Sequence, residues 1–431
     1  MGRNGCRYLA ALGLALFLAT AQNVYPAKKE INIWFTWNEQ GEVYFRRMVE
    51  NFNRSQSDFT VKPVYTTDGE MNQRVLTAVA GGTPPHLIFL DRYRTAQFAA
   101  RGALTALDPY IARSKVVKAN RFYEACWNEC LYNGKTYGVP FETDCRLLMY
   151  NKRFFKEAGL DPQKPPRTWD ELVEVAKTLT RTDADGNLTR LGFNPVGHGV
   201  SLVHYIWQNG GDVFDAAQDK VIFNNDRGVE ALSWVVKFVD LYSLDKMNAF
   251  AGSFGSNANE PFIVGKEAMK SDGSWIYGNM KTFAPDFLRN DLGLAPLPYK
   301  TDRVTISGGF SFSIPRGAKD PELAWKFIEY ASGNDPQLFF CANAGAIPAR
   351  KATAESRAFL GSNPYWLPFV KEMRYARYRP VHPAFPEIEE LIYAAMDEAV
   401  RKVKSPRQAL DDAAAAAQRI LDRYNRHFNR K

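Results

Sequence analysis

The segment GKTYGVPFETDCRLLMYNK, residues 134–152, decides the fold that the sequence predicts. A turn, a proline-containing strand, a polar stretch and an apolar strand follow one another there without spacers. Pro140 is typical of a strand edge or a bend, and the apolar run at 147–150 predicts a buried strand. Glu142 and Asp144 fall between the two strands. The segment therefore indicates a crossing between two lobes, where small-molecule sites are common; an exposed hinge with solvated charges is the alternative.

Length and charge agree with a two-lobed soluble protein. A chain of 431 residues exceeds the size at which a single core stops growing, so two domains are expected. The formal charge of +8 falls to +6 when a leader containing Arg3 and Arg7 is removed. The remaining basic residues are scattered among acidic ones, which does not favour a nucleic-acid partner.

The first 21 residues predict a secretory signal peptide. Arg3 and Arg7 precede an apolar run at 9–19, and Ala19-Thr20-Ala21 matches a small-x-small cleavage site. The run is shorter than the roughly 20 residues that a membrane span needs. The mature protein is therefore expected in the periplasm or outside the cell.

Four cysteines follow the leader, and their even number in an oxidising compartment permits disulfides. We expect a bridge from Cys126 or Cys130 to Cys145, with Cys341 as the fourth thiol. The spacing CWNEC without a nearby histidine lacks the paired ligands of a zinc site. The sequence thus predicts neither a metal nor a cofactor.

The mature chain begins with alternating strands and helices. Apolar runs predict strands at 31–35, 59–65 and 86–90, and helical spacing predicts helices at 42–52 and 71–79. This alternation favours an α/β fold with a mostly parallel sheet flanked by helices.

Polar and aromatic residues follow these strands. Ligands of parallel sheets bind beyond the carboxyl ends of the strands, where Trp37 and Asp91 fall.

Further along, Thr168 and Glu171 have the spacing of a capping box and predict the start of a helix. The acidic stretch 183–187 predicts a turn, because it lacks the glycine and glutamate positions of a calcium loop.

Several segments together resemble the extracellular solute-binding proteins of ATP-binding-cassette (ABC) sugar importers, the family that includes maltose-binding protein. The resemblance covers roughly residues 28–425. The segments that carry it, in chain order, are GKTYGVPFETDCRLLMYNK, TWDELVEVAKTLT, GKEAMKSDGSWIYGNM, LGLAPLP, SGGFSFSIPRGAKDPELAWKFIEYAS, GAIPARK and SPRQALDDAAAAAQRIL. Ser405 as a cap and Pro406 in the first turn independently predict the final helix.

The resemblance implies two discontinuous α/β lobes that close by a hinge motion on a ligand held in the cleft between them. Residues 28–142 and 306–347 would form the first lobe, and residues 143–305 and 348–431 the second. The crossings would lie near 141–145, 300–310 and 345–350. The paired glycines in SGGF at 307–310 fit a crossing, because glycine tolerates unusual backbone angles and close approach.

Sugars present hydroxyl groups and apolar faces, so their sites combine aromatic platforms with carboxylates or amides. The resemblance implies that Trp275 stacks on the sugar and that Tyr378 and Arg379 border the cleft. The alternatives are a core tryptophan, and salt bridges from the carboxylates to Arg92, Arg94 or Arg146. The predicted ligand contacts are Trp37, Asp91, Glu142, Asp144, Trp207, Trp275, Phe310, Tyr378 and Arg379.

We therefore expect a monomeric binding protein that captures a carbohydrate, of the size of a small oligosaccharide, and delivers it to a membrane permease. A glycerol phosphate or its diester is the alternative ligand, with Arg379 meeting the anion. A secreted glycan-cleaving enzyme using Glu142 and Asp144 is the alternative class. The chain has no recognisable nucleophile elbow, HExxH motif or P-loop, so we expect no catalysis.

Overall fold

A computed structural model describes residues 28–37, 39–197, 199, 201–215, 219–255 and 257–428. The predicted signal peptide, residues 1–21, lies outside the described residues. The strands are β1 Lys29–Phe35, β2 Phe59–Tyr65, β3 Leu87–Asp91, β4 Leu131–Tyr132, β5 Lys135–Thr136, β6 Val139–Pro140, β7 Glu142–Thr143, β8 Arg146–Asn151, β9 Arg181–Thr182, β10 Leu188–Phe193, β11 Phe214–Asp215, β12 Lys220–Val221, β13 Glu267–Gly273, β14 Leu292–Ala295, β15 Thr305–Ile306, β16 Phe310–Ser313, β17 Ile347–Pro348 and β18 Ala376–Arg377. The helices are α1 Glu39–Ser55, α2 Asp68–Ala80, α3 Thr95–Ala100, α4 Asp108–Arg113, α5 Glu124–Asn128, α6 Lys152–Glu157, α7 Trp169–Leu179, α8 Leu202–Gln208, α9 Asp226–Asp240, α10 Leu244–Gly252, α11 Ile276–Phe283, α12 Pro285–Asn290, α13 Pro321–Ala331, α14 Asn334–Ala344, α15 Lys351–Ala354, α16 Arg357–Ser362, α17 Trp366–Glu372, α18 Phe385–Val400 and α19 Pro406–Phe428.

Two five-stranded sheets organise the chain. The first has the order β2-β1-β3-β16-β6, and the second the order β14-β8-β13-β10-β9. We call the part built on the first sheet the first lobe and the part built on the second sheet the second lobe. The α/β class is confirmed, and the strands predicted at 31–35, 59–65 and 86–90 are β1, β2 and β3. The residue boundaries proposed for the lobes stay predictions.

The parallel arrangement expected from the first strands is confirmed for β1, β2 and β3, although both sheets also contain antiparallel pairs. β1 is parallel to β2 and β3, but β16 is antiparallel to both β3 and β6. In the second sheet β10 is parallel to β13, whereas β8 is antiparallel to β13 and β14. The reason is that β16 enters the first sheet after the chain has built the second, so it does not follow the right-handed crossover that keeps sequential strands parallel.

Local signals that were read from the sequence are confirmed. The Thr168 hydroxyl accepts a hydrogen bond from the Glu171 amide at 3.2 Å and caps α7. The Ser405 hydroxyl accepts one from the Gln408 amide at 3.2 Å at the start of α19. Residues 183–187 form a turn between β9 and β10. These features depend only on neighbours in the chain, which is why the sequence predicts them well.

The predicted disulfide is wrong, because the thiols of Cys126, Cys130, Cys145 and Cys341 are free and buried. The Cys145 thiol donates to the Phe369 carbonyl oxygen at 3.4 Å. Cys126 and Cys130 lie on and just after the short helix α5, and burial raises the pKa of both. The thiols behave as small apolar core groups.

Candidate functional site

The chain segments that link the two sheets lie side by side. β7 pairs antiparallel with β17, with Thr143 opposite Ile347. The next residue, Asp144, forms an isolated antiparallel bridge with Gly308. Segments distant in sequence thus meet within a few residues, at the positions where the family resemblance implies the crossings. We call this meeting point the hinge floor.

Arg92 holds the hinge floor together. Its side chain is 0% exposed, and its Nη1 donates to the Glu142 carbonyl oxygen at 2.5 Å. Its Nη2 donates to the Gly308 carbonyl oxygen, and its Nε donates to the Glu129 carboxylate at 3.1 Å. A buried charge is tolerated only when it is paired and hydrogen-bonded. Arg92 is therefore a structural residue that ties two crossing segments to the first lobe.

Gly309 fits this crowded place because it has no side chain. Its φ of +115° lies in a region that other residues rarely adopt. A Cβ atom there would lie 2.6 Å from the Glu142 carbonyl oxygen and 2.7 Å from Nη1 of Arg92. The close backbone approach expected for the SGGF segment is confirmed.

Glu142 faces the hinge floor. It is 2% exposed, and its Oε1 accepts a hydrogen bond from the Phe310 amide at 2.6 Å. Burial, and then the like charge of Asp144, raise the pKa of Glu142 to about 8. One oxygen of its carboxyl group is thus already bonded to the backbone of the hinge floor.

Asp144, Arg146 and Trp275 form one group on the second-lobe side. Nη1 of Arg146 donates to the Asp144 carboxylate, and the Arg146 guanidinium lies 4.8 Å from the centre of the Trp275 ring. The Gly308 amide donates to Asp144 Oδ1 at 3.2 Å. The salt-bridge alternative considered for Asp144 is thus present. The sequence did not predict the position of Arg146 over the tryptophan.

Asp91 and Arg379 meet at the end of β3. Nη2 of Arg379 donates to Asp91 Oδ1 at 3.4 Å, although the two residues are 288 positions apart. The Arg379 guanidinium also lies 4.0 Å from the centre of the Tyr93 ring. Asp91 pairs with Phe310 across β3 and β16. Tyr93 was not predicted, although its place directly after a strand that ends at a candidate residue is a usable signal.

Trp37 and Phe310 lie next to each other on the first lobe. Their ring centres are 6.2 Å apart, and Trp37 also meets Phe340 edge-on at 5.3 Å. Both predicted rings are half-buried. Nε1 of Trp37 is buried without a hydrogen-bond partner. Together these rings supply an apolar wall beside Asp91.

Trp207 and Tyr378 line a different cavity of about 830 Å³, together with Phe214 and His382. Trp207 is 1% exposed, and its Nε1 donates to Asp212 at 3.1 Å. The hydroxyl of Tyr378 accepts from Asn128 at 3.4 Å, whereas the adjacent Arg379 contacts Asp91. Seven predicted residues therefore lie around the hinge floor, and Trp207 and Tyr378 do not join them.

Helix α18 adds a residue that the sequence did not suggest. Glu389 is 6% exposed and lies among Arg379, Asp91 and Arg94. Burial raises the pKa of Glu389, and the Arg379 charge opposes that rise.

No group of three or more His, Cys, Asp or Glu side chains within the described ranges could hold a metal ion. No helix in the part of the chain that the structure describes is long and apolar enough to cross a membrane.

Comparison with known proteins agrees with this architecture. Residues 36–338 match the family described as bacterial extracellular solute-binding protein. The chain belongs to this family. The sn-glycerol-3-phosphate-binding periplasmic protein UgpB of Escherichia coli (strain UTI89) is 24% identical over 462 residues, covering 97% of this chain and 98% of that protein. A binding protein of Brucella abortus (strain 2308) is 24% identical over 381 residues, covering 88% of this chain and 90% of that protein.

Solved structures of this family share the fold. The protein CpMnBP1 with mannotriose bound has a TM-score of 0.81 and 27% identity, over 90% of this chain and 100% of that one. Maltose-bound MalE3 of T. maritima has a TM-score of 0.78 and 24% identity, over 90% of this chain and 99% of that one. The predicted two-lobed binding-protein fold is thereby confirmed.

Proposed function

We propose that this family member captures a neutral carbohydrate, of the size of a small oligosaccharide, in the cleft above the hinge floor. The ligand contacts proposed are Trp37, Asp91, Asp144, Trp275, Phe310 and Arg379. Half-buried aromatic rings on both lobes, beside hydrogen-bonding carboxylates, suit a sugar ring that has apolar faces and a rim of hydroxyl groups. The carbohydrate named with CpMnBP1 points in the same direction.

The arginines around the hinge floor are already paired with carboxylates, and this observation favours a neutral ligand over an anion. Arg92 is bound to Glu129, Arg146 to Asp144 and Arg379 to Asp91. A phosphate would compete with carboxylates that these arginines already hold. A hydroxyl group needs no counter-charge, so it can bond to either member of a pair.

The proposed cycle follows from the two-lobed fold. The ligand enters the open form, the closed form binds it more tightly, and a membrane permease of an ABC importer receives the closed form. The protein acts in the periplasm or outside the cell and works as a monomer. Catalysis is not part of the proposal, because the family is described as solute-binding and Glu142 already accepts a hydrogen bond from the Phe310 amide.

Thermal unfolding with a saccharide panel tests the ligand class. Mannobiose, mannotriose, maltose and glycerol 3-phosphate are each added to the mature protein, while chromatography follows any consumption. A ligand at about 100 times its dissociation constant adds about 2.7 kcal/mol to the free energy of unfolding. Stabilisation by a neutral saccharide without turnover supports the proposal. Stabilisation by the phosphate alone, or cleavage of a saccharide, contradicts it.

A matched pair of tryptophan variants locates the site. Trp275→Ala should weaken binding of the stabilising saccharide by about 10-fold or more, since a lost aromatic contact is worth about 1–3 kcal/mol. Trp34→Ala is the control, because Trp34 is also half-buried and carries an arginine, Arg74, at 4.9 Å from its ring centre. Equal losses in both variants would argue against a cleft site.

A further inference from the structure

Two glycines leave the space in which Trp275 lies. A Cβ atom on Gly273 would overlap the Trp275 ring, so the ring occupies the place of a side chain at the end of β13. A Cβ atom on Gly345 would lie 3.1 Å from the Trp275 carbonyl oxygen, so the segment before β17 packs against the same turn. Gly273 pairs with Arg146 across β13 and β8. The turn that follows β13 therefore determines where the ring lies.

Asp272 holds this turn from inside the second lobe. It is 3% exposed, and its Oδ1 accepts a hydrogen bond from the Gly273 amide at 2.8 Å. Its Oδ2 lies 3.0 Å from Nζ of Lys270. A Cβ atom on Gly199 would lie 3.3 Å from Asp272 Oδ1, so the segment before α8 also packs against this carboxylate. Asp272 thus connects the backbone of the turn to a buried cation.

Lys270 is that cation. It lies in β13, the central strand of the second sheet, and is 8% exposed. Its Nζ donates to Glu260 Oε1 at 2.5 Å and also pairs with Asp272. Because side chains alternate along a strand, Lys270 and Asp272 lie on the same face of β13. A buried charge is costly unless it is paired, so the two carboxylates account for a lysine in a central strand.

We propose that Lys270 is a positioning residue for ligand capture. It fixes the Asp272 carboxylate, Asp272 fixes the turn, and the turn sets the orientation of the Trp275 ring. The inference rests on the proposed function, since it takes Trp275 as the ring that stacks on the sugar. Lys270 itself is buried and touches no ligand. Without its ammonium group a buried carboxylate lacks its cation, which is costly enough to shift the turn.

Fluorine NMR of the ligand-free mature protein tests the positioning role without a known ligand. The chain has nine tryptophans, and labelling with fluorotryptophan gives each of them a resonance that responds to its packing. The resonance that disappears in Trp275→Phe belongs to Trp275. Lys270→Met should move or broaden this resonance and leave most of the others in place.

Lys404→Met is the matched control. Nζ of Lys404 also pairs with two carboxylates, those of Glu398 and Asp412, each at 3.0 Å, but it lies in the loop between α18 and α19. This variant should leave the Trp275 resonance unchanged. If Lys270→Met fails to fold, Asp272→Asn carries the test, because asparagine keeps an acceptor for the Gly273 amide and removes only the charge.

A double-mutant cycle with mannotriose tests the consequence for binding. A misplaced ring keeps part of its contact, so Lys270→Met should raise the dissociation constant by about 3- to 10-fold, less than Trp275→Ala does. In the Trp275→Ala background the same substitution should change the dissociation constant by less than about 2-fold, because no ring is left to position. Independent, additive losses would contradict a role through Trp275.

The outcomes separate this proposal from the proposed function. An unchanged Trp275 resonance in Lys270→Met would overturn the positioning role, whichever saccharide binds. Shifts of all nine resonances would also overturn it, because they would show a general structural role. A shift confined to Trp275 and its surroundings, absent from Lys404→Met, would support it even if mannotriose proves to be the wrong ligand.

Discussion

Two arginine–glutamate pairs in this protein differ sharply in burial. Arg92 and Glu129, beneath the crossings, are both 0% exposed, and their closest atoms are 3.1 Å apart. Arg101 and Glu387, between α3 and α18, are 38% and 32% exposed at a similar distance of 3.3 Å. Both pairs join a guanidinium group to a carboxylate, but only the second pair is exposed to water. A buried pair cannot be broken without stranding a charge, whereas a solvated pair can open and close.

This difference has a structural consequence. Arg92 also donates to backbone carbonyls of two crossing segments, so its removal would disturb the hinge floor. Arg101 bonds to Glu387 and Tyr424 at the surface, where water can replace the lost contacts.

The largest effect should come from Arg92→Ala. It removes the buried partner of the Glu129 carboxylate and the donor to the Glu142 carbonyl, so we expect a loss of about 3–5 kcal/mol in the free energy of unfolding, measured by urea titration. The double variant Arg92→Met with Glu129→Leu should recover only part of that loss, because the Glu142 carbonyl still lacks its donor. The control, Arg113→Ala, removes an exposed pair and should cost under about 1 kcal/mol. Equal losses of unfolding free energy in Arg92→Ala and Arg113→Ala would contradict the expected difference between buried and exposed pairs.

The second effect concerns the pH dependence of the hinge floor. The pKa of Glu142 rises from 4.5 to about 8 on folding, so the protonated acid is the stabilising form. Its contribution is full below pH 4.5 and is lost as the pH rises through about 8. The stability of Glu142→Gln should decline less with pH. Between pH 5 and pH 8.5 the variant should lose on the order of 3 kcal/mol less unfolding free energy than the wild type.

Urea titrations of the wild type and Glu142→Gln across that pH range measure the difference directly. Glu129, with a pKa raised by burial to about 7, titrates in both proteins and cancels from the comparison. A variant whose stability curve runs parallel to that of the wild type would show that Glu142 is ionised in the folded floor.

The third effect concerns the backbone at Gly309. Gly309→Ala forces a methyl group into a φ of +115° beside the Glu142 carbonyl, so we expect a loss of about 1–3 kcal/mol of unfolding free energy. Gly361→Ala is the control, since nothing lies within 4 Å of its added Cβ, and it should be neutral or slightly stabilising. Calorimetry of both variants measures the difference in unfolding free energy. An unchanged stability of Gly309→Ala would mean that the backbone of the hinge floor can shift to accommodate the methyl group.

The smallest effect on stability belongs to Arg101→Ala. Because its partner keeps two other donors, we expect a change below about 1 kcal/mol in unfolding free energy. Urea titration of this variant beside Arg92→Ala measures the contrast. A large loss of stability in Arg101→Ala would show that partial exposure does not make this pair dispensable.

The sequence predicted local features and the overall class well. The strands β1 to β3, the cap at Thr168 and the turn at 183–187 depend on neighbours in the chain. The resemblance to solute-binding proteins gave the two-lobed fold correctly. The antiparallel strand β16 was not predicted and the disulfide was predicted wrongly, because both depend on how distant segments meet.

The candidate site was predicted in part for the same reason. Sequence reasoning selected Asp91 and Arg379 separately, and only the fold brings them within 3.4 Å across 288 residues. It treated Tyr378 and Arg379 as one motif, yet Tyr378 contacts Asn128 whereas Arg379 contacts Asp91. Adjacent residues in an extended segment point to opposite sides, and that direction is fixed by packing.

By itself, the sequence determined the strands, the helix caps, the family and the residue types available for a sugar site, because short-range physics and the order of the family-like segments encode them. Only the tertiary structure decided which arginine is buried and which is solvated. Burial sets the local dielectric, and the dielectric decides how much an ion pair costs to break.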